Sequence, residues 1–428
     1  MKVLIGTAEI SGIGANLRAG FEEIGVAAET VFSTPHPFRY ARDRETPIIV
    51  RGWQRIGIYV ATMRRKQSWA LPLLSRLHQG YGLLVLLWAL SRYDACIFLF
   101  GKPITNFRIE PLVWRWLGKK IIFVYVGSDT RPPYVSGALF PPSQPIDSMK
   151  MLHLTQQVKK RVAFQERYSD FCINSPFSAQ FHSRPFINWF SLGIPCAVTP
   201  IDVRELPDVR RPVRIMHAPS RPEAKGSQLI RKIIANIQSK DIEIEYVEIL
   251  NQPNSVVLAE LKRCDFVVDQ TYSDTPMAVF AAEAAALGKP AVVGGYAAGV
   301  LSTYVSRDDM PPSMFVHPDD LESAIHKMVV DAEFRQEMGR RAYDFIARRW
   351  SRDVVAGRYL RLLSGDVPNS WWYDPADIRY VHGAAIPEKH ARRLVATMVE
   401  NYGPSSLQIS ENEGLVKAFV RFGKSADE

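Results

Sequence analysis

Two doubly wound, Rossmann-like α/β domains facing each other across a cleft are the fold class that this sequence predicts. Three observations carry it. The chain is 428 residues long, more than one hydrophobic core usually organises. Short, almost continuously apolar runs alternate with amphipathic segments, and this happens in two separate series. Between the series lies "IPCAVTPIDVRELPDVRRPV", whose four prolines mark an interdomain linker. Strands apolar on both faces belong to parallel sheets covered by helices on both sides.

The first series opens with "KVLIG", a buried strand, and "NLRAGFEEIG", a helix with Leu17, Phe21 and Ile24 on one face. "ACIFLFG", "KIIFVYVG" and "DFCIN" read as further buried strands. The second series runs "VRIMHA", a helix from about Gln228 to Gln238, "IEYVEI", a helix ending near Arg263, "DFVVDQ", a helix from about Val279 to Leu287, and "PAVVGG". After Asp331, Phe334, Met338, Ala342 and Phe345 recur at helical spacing, and Val354, Val355, Tyr359 and Leu362 mark another helix. The predicted boundaries are an N-terminal domain over 1–194, a linker over 195–212, a C-terminal domain over 213–350, a helix over 351–365 and a tail over 366–428. The tail, with "SWWYDPADIRYVHG", carries no assignable motif, and its Trp371 and Trp372 are expected to plug a domain surface.

Hydrophobic content of 47% and charged content of 23% are those of an ordinary globular protein. Cys96, Cys172, Cys196 and Cys264 lie far apart without metal-ligand spacing, and most sit in apolar runs, which predicts reduced thiols in a reducing compartment. "MKVLIGTAE" is too short an apolar run for a signal peptide, and "LLVLLWAL", Leu83 to Leu90, is far short of a bilayer span. A soluble, cytoplasmic protein is the expectation. The formal charge of +9 is unevenly spread. From Thr46 to Tyr93 there are seven Arg or Lys residues and no acid, interleaved with Trp53, Tyr59, Trp69, Tyr81 and Trp88. This region is rich in aliphatics and shows no nucleic-acid reader motif, so nucleic acid is not an expected partner.

Doubly wound sheets bind ligands at the carboxyl ends of their strands, and three segments fall there. In "GTAEISGIGAN", Gly12 and Gly14 open the first helix, where backbone N–H groups and the helix terminus favour an anion. Leu17 replaces the third glycine of the dinucleotide fingerprint, and the segment reads equally as a tight turn. In "HAPSRPEAKGS", Ser220, Arg221 and Lys225 occupy a strand-to-helix turn, as phosphate ligands or as solvated loop charges. In "DQTYSDTPMAVFAAEAAALGKPAVVGG", Glu283 stands among small apolar residues, where a carboxylate needs donors. Ribose or sugar hydroxyls would serve, and so would a backbone amide or basic side chain.

Taken together, "HAPS…KGS…CDFVVDQ…FAAEAAALGKPAVVGG" and "DLESAIHKMVVDAEFRQEMGRRAYDFIARRW" resemble the C-terminal domain of retaining GT-B glycosyltransferases of family four. The resemblance spans about Val213 to Leu363 and is most specific from Glu283 to Pro290. It implies transfer of a sugar from a nucleotide-diphosphate donor to a lipid-linked or cell-surface glycan. Arg221 and Lys225 would neutralise the diphosphate, with Ser220 and Thr275 beside the donor and Glu283 on the ribose hydroxyls. Gly12 and Gly14 would form the opposite lip, and the helix from Ser351 to Ser364 would cross back to the first domain. Two positions depart from the family. Thr275 stands where a second glutamate is common, and Val126 where a histidine often precedes "GSD". The chain has no Asp-x-Asp triplet, so neither metal nor cofactor is expected, and fixed cations would stabilise the leaving group. Retention requires no base on the far face of the sugar; under inversion, Asp129 is the candidate base, or else the cap of its own turn. An epimerase or hydrolase of the same fold, or a catalytically silent nucleotide-sugar-binding subunit, fits the same motifs.

Finally, Arg51 to Arg92 is expected to seat the protein on the inner face of an anionic membrane, with Leu71, Leu74, Leu77 and Trp69 as the apolar face, or else to form an ordinary helix pair of the first domain whose apolar residues face the sheet and whose arginines face water. Pro72 should divide the segment into two helices.

Overall fold

The computed structural model describes residues 1–34, 46–66, 69–105, 107, 109–200 and 212–424. Most of the proline-rich linker, two residues of the basic region (Gln67 and Ser68) and the side chain of Arg65 lie outside the described residues.

The first sheet contains β1 (Lys2–Thr7), β2 (Ala27–Phe32), β3 (Ala95–Leu99), β4 (Lys120–Val124), β5 (Phe171–Asn174) and β6 (Phe186–Asn188). These run parallel in the order β6-β5-β4-β3-β1-β2. The second sheet contains β7 (Val213–His217), β8 (Ile244–Glu248), β9 (Phe266–Val268), β10 (Ala291–Gly294) and β11 (Met314–Val316). It is parallel throughout, in the order β11-β10-β9-β7-β8. Strand order reverses at β1 in one sheet and at β7 in the other, and a crevice opens at such points. Val3, Leu4 and Ile5, like Ile121, Ile122 and Phe123, are fully buried, so both faces of the first sheet are covered. This is the layout of two Rossmann-like domains in the GT-B manner.

Helix α1 (Ile13–Glu23) buries Leu17 and Phe21 against the first sheet. The chain returns from the second domain through Trp350, and Ser351 bridges Cys196. The helix Arg352–Ser364 then lies across α1. Contact is close because Gly20 has no side chain: a Cβ there would run into the Arg352 carbonyl. Arg352 also donates to Asn16 Oδ1 at 2.7 and 2.9 Å. One apolar cluster therefore joins β1, this crossing helix and the Ala281–Ala286 stretch of the second domain.

The tail is built into the first domain. Strand β12 (Trp372–Tyr373) pairs antiparallel with β6. The helices Glu388–Tyr402 and Glu413–Lys424 place Leu394, Met398 and Phe419 in the same cluster as Phe98 and Tyr134. Trp371 and Trp372 sit at that edge, with Trp372 against Phe171. The tail also reaches the second domain: Ala385 N–H donates to the Tyr272 carbonyl (2.8 Å) and Glu388 N–H to the Tyr296 hydroxyl (2.7 Å).

The basic region forms α2 (Ile48–Arg65) and α3 (Leu71–Arg92), packed on each other. Pro72 lies in the first turn of α3, where its missing N–H costs nothing. "LLVLLWAL" is divided: Val85, Leu86, Ala89 and Leu90 are buried, whereas Leu83, Leu84 and Leu87 are exposed. The exposed apolar side chains near the start of α3 are Trp69, Leu73 and Leu77. Leu71 and Leu74, expected beside Leu77, are instead half-buried. Among the described residues no helix is long and apolar enough to cross a membrane.

If the tail is core, Phe419→Ala should destabilise as a central aromatic truncation does. Phe419 is fully buried edge-on to Tyr134, so the loss should be about 3–5 kcal/mol. Thermal and denaturant melts check this, and a loss under about 1 kcal/mol would make the tail peripheral.

Candidate functional site

A cavity of about 250 Å³ lies between the two sheets, walled by the carboxyl ends of strands from both. Ser11, Tyr125, Val126 and Ser175 contribute from the first domain. Ser220, Lys225, Asn251, Asn254, Thr275 and Glu283 contribute from the second.

The turn after β7 is held rigidly. His217 is fully buried and hydrogen-bonded at both nitrogens, Nδ1 to the Val268 carbonyl (2.8 Å) and Nε2 to the Ser227 hydroxyl (2.8 Å). A neutral ring with its proton on Nδ1 satisfies both. Gly226 adopts φ 68 and abuts Thr271, whose hydroxyl a Cβ would strike. Thr271 N–H donates back to the Lys225 carbonyl (3.1 Å). The Lys225 ammonium thereby reaches Asp269 Oδ1 at 2.9 Å, and that carboxylate is buried at the end of β9. Asp269 orients the cation, and the two remaining ammonium protons stay available to a ligand. Arg221 begins the short helix Pro222–Lys225, is exposed, and has no ion-pair partner among the described residues.

Glu283 projects from the helix Val279–Ala285 into the cavity wall. Asn254 Nδ2 donates to its Oε1 at 3.2 Å. Burial raises the carboxyl to about 7, with Asn254 opposing. No cation accompanies it among the described residues, so the carboxylate has acceptor capacity to spare. Thr275 lines the cavity too, its hydroxyl turned to the Met277 backbone at 3.4 Å. Its neighbour Asp274 pairs across the cleft with Arg131, which is almost fully buried.

The first-domain lip is arranged differently from what its glycines imply. Glu9 is buried and caps α1: Oε1 accepts from Ile10 (2.9 Å) and Gly14 (3.0 Å), and Oε2 from Ala15 (3.0 Å). The Gly14 N–H is thus already taken by an internal carboxylate. Gly12 supplies the left-handed turn (φ 83), and Gly14 fits closely against Phe32 and Leu99. Ser11 and Ile13 line the cavity, and the two glycines do not. Asp129 does not line it either. It is buried, accepts from Val126 N–H at 3.1 Å, and leaves Oδ2 unpartnered among the described residues. Burial raises its carboxyl to about 6. The structure therefore gathers Ser220, Lys225, Thr275 and Glu283 at one cavity, leaves Arg221 exposed and outside its lining, next in sequence to Ser220, and keeps Gly12, Gly14 and Asp129 out of the lining as well. The correction at Gly14 has a plain cause: an acid five residues earlier reaches the same helix terminus.

Asn251, Asn254 and Asp269 were missed in the sequence, although each follows a strand, where the fold class already places ligands. Among the described residues no cluster of His, Cys, Asp or Glu is arranged to hold a metal ion.

No protein-family model matches the sequence, and no curated protein matches it. Its fold is similar to several solved structures. Anabaena Alr3699/HepE in complex with UDP-glucose shares 12% identity, over 85% of this chain and 100% of that one, at a TM-score of 0.45. The glycosyltransferase SnogD from Streptomyces nogalater shares 12% over 84% and 99%, at 0.40. The lipopolysaccharide outer core galactosyltransferase WaaB, in its apo form, shares 12% over 86% and 100%, at 0.44.

Burial holds the His217 imidazole down to about 4, against 6.5 when unfolded. The unfolded chain therefore binds the extra proton first as pH falls. Stability from this residue is complete above pH 6.5 and declines toward pH 4, by about 3 kcal/mol in all. Nitrogen-15 spectra should show a neutral Nδ1–H ring that titrates near pH 4, and a midpoint near 6.5 would contradict the pinned turn.

Proposed function

We propose that the protein is a glycosyltransferase of GT-B fold that moves a sugar from a nucleotide-diphosphate sugar to a glycan acceptor, lipid-linked or at the cell surface, with retention. The observation that carries this reading is the pairing of a fixed cation and a cation-free carboxylate on one interdomain cavity. Lys225, oriented by Asp269, suits a diphosphate. Glu283, contacted by Asn254, suits the vicinal hydroxyls of a ribose. Arg221, next in sequence to Ser220, would add a second charge.

In this reading the bond from the anomeric carbon to the β-phosphate oxygen breaks, and its electron pair stays on that oxygen. The acceptor hydroxyl bonds to the same carbon and passes its proton to the departing phosphate. Lys225 and Arg221 stabilise the charge that accumulates on the leaving group, more in the transition state than in the ground state. Asp129, outside the lining, would hold the turn after β4 and take no proton from the acceptor. No metal is invoked.

Replacing Arg221 or Lys225 by Ala should lower nucleoside diphosphate affinity roughly 10- to 150-fold, measured by calorimetry. Unaltered affinity in both variants would refute the diphosphate assignment. Glu283→Gln should weaken nucleoside diphosphates and leave inorganic pyrophosphate nearly untouched. The sign of its pH dependence follows from a carboxyl raised to about 7. As pH falls through 7 the group protonates and accepts ribose hydroxyls less well. Relative to Glu283→Gln, wild-type affinity should therefore fall on acidification, and parallel profiles would return Glu283 to a structural role.

The acceptor side of the reading places the enzyme on the cytoplasmic face of a membrane. Within α2, α3 and the described residues between them, Trp69, Leu73 and Leu77 are exposed, as are Arg55, Lys66 and Arg76, and the region contains no acid. Such a surface complements anionic lipid, at ~1 kcal/mol per cation. Vesicles containing anionic lipid should sediment the protein at low salt, with release at high salt. Arg55→Glu with Lys66→Glu should weaken the binding, and equal recovery with neutral vesicles would exclude membrane seating.

A further inference from the structure

A second cavity, of about 800 Å³, lies wholly within the first domain, among the ends of β1 and β3, the α2–α3 pair and the helix Ser148–Tyr168. Arg64, His78, Lys102, His153, Lys160 and Arg161 all line it, and among the described residues no Asp or Glu does. Four permanent cations thus converge on one space. None of the four forms an ion pair with an acid among the described residues. Elsewhere some cations are paired, as Lys120 is with Asp170 and Lys159 with Glu411, and it is the convergence of four unpaired ones on a single space that sets this cluster apart. Lys102 is pushed below the usual lysine range by burial, then by Arg161 and Arg64, with only Asp129 opposing.

Two further polar atoms are buried there without partners among the described residues, His78 Nε2 and Trp53 Nε1. Their rings stack at 5.3 Å. Gly57 leaves room beside His78, since a Cβ there would lie 3.1 Å from Nε2. The four cations are exposed to the open cavity, where their convergence attracts an anion, and the buried polar atoms of His78 and Trp53 beside them lack partners that a ligand would supply.

The cavity shares a wall with the interdomain site. Tyr125, which lines the latter, donates to Gln165 Oε1 at 2.8 Å, and Gln165 Nε2 donates to the Gly101 carbonyl at 2.7 Å on the far side. Arg161 likewise donates to the Asp129 carbonyl. Leu77, which immediately precedes His78 on α3, is exposed.

We infer that this cavity seats a phosphate or diphosphate group of the acceptor, beside the site where its hydroxyl is glycosylated. The inference rests on the transferase reading for the word acceptor, and on the cavity alone for the anion. A lipid-linked diphosphate would lay its hydrocarbon over Leu73, Leu77 and Trp69, whereas a soluble phosphorylated sugar would use the cations only.

Calorimetry with inorganic pyrophosphate and with geranyl diphosphate tests it, on wild type, Lys225→Ala, Lys102→Gln/Lys160→Gln and the control Arg263→Gln/Lys417→Gln. Lys102 and Lys160 are exposed, so the variant should fold, and a thermal melt verifies that. A pyrophosphate site should survive Lys225→Ala, weaken roughly 10-fold or more in Lys102→Gln/Lys160→Gln, and be unchanged in the control. Tighter binding of geranyl diphosphate, reversed by Leu73→Ser/Leu77→Ser, assigns the site to a lipid-linked group. Equal affinities assign it to a soluble one. Pyrophosphate binding that ignores Lys102→Gln/Lys160→Gln, or falls equally in the control, overturns the inference. The donor reading is judged separately, by whether Lys225→Ala weakens nucleoside diphosphates.

Discussion

Close packing between α1 and the helix Arg352–Ser364 is the constraint on which the cleft depends. Gly20 lets the Arg352 backbone approach α1, Arg352 grips Asn16, and Ser351 bridges Cys196 where the chain first leaves the domain. The chain thus crosses between domains at two adjacent places. The strand ends of both sheets are turned toward one another on that hinge. Arg131 with Asp274, and the tail on Tyr272 and Tyr296, hold the faces in contact elsewhere. A side chain at Gly20 would push the crossing helix away from α1.

Within that frame, internal acids determine where a ligand anion can be received. Glu9 consumes N–H groups at the start of α1, so the first-domain lip is electrostatically occupied. Asp269 aims Lys225 at the cavity. Asp274 pairs with Arg131. Among the cations without an acid partner in the described residues are Arg221 and the four that converge on the first-domain cavity. Two anion-receptive places result, one in the interdomain site and one beside it, separated by Tyr125 and Gln165. A reaction joining a diphosphate donor to an anionic acceptor would use both, with the cations at each place offsetting the repulsion between the two anions.

The fold was legible because strands buried on both faces leave a nearly continuous apolar signature, as in "KVLIG" and "PAVVGG". The short strands β6 and β11 carry too few residues for such a signature, and β12 pairs only because the tail returns to β6. Lys225 and Glu283 were legible because a strand-to-helix turn and an acid among alanines each break a local pattern. Glu9 was readable in principle, as an acid just before a helix, but the glycines beside it suggested an open anion site. Asp129 was named with its capping role as the alternative, and the capping geometry is what the structure shows. The first-domain cavity was not legible. Arg64, Lys102 and Lys160 are far apart in sequence, and only packing of α2, α3 and the helix Ser148–Tyr168 around the β3 end assembles them.

The measurement that bears most directly on the central claim is an experimental structure of the protein with a nucleoside diphosphate, chosen by a thermal-shift panel of UDP, GDP and ADP. A ligand at about 100 times its dissociation constant adds ~2.7 kcal/mol of stability, enough to identify the base. The account predicts diphosphate density at Lys225 and ribose hydroxyls within hydrogen-bond reach of Glu283. Density confined to the first-domain cavity, or a nucleotide bound with Lys225 still held solely by Asp269 and Glu283 unengaged, would contradict it.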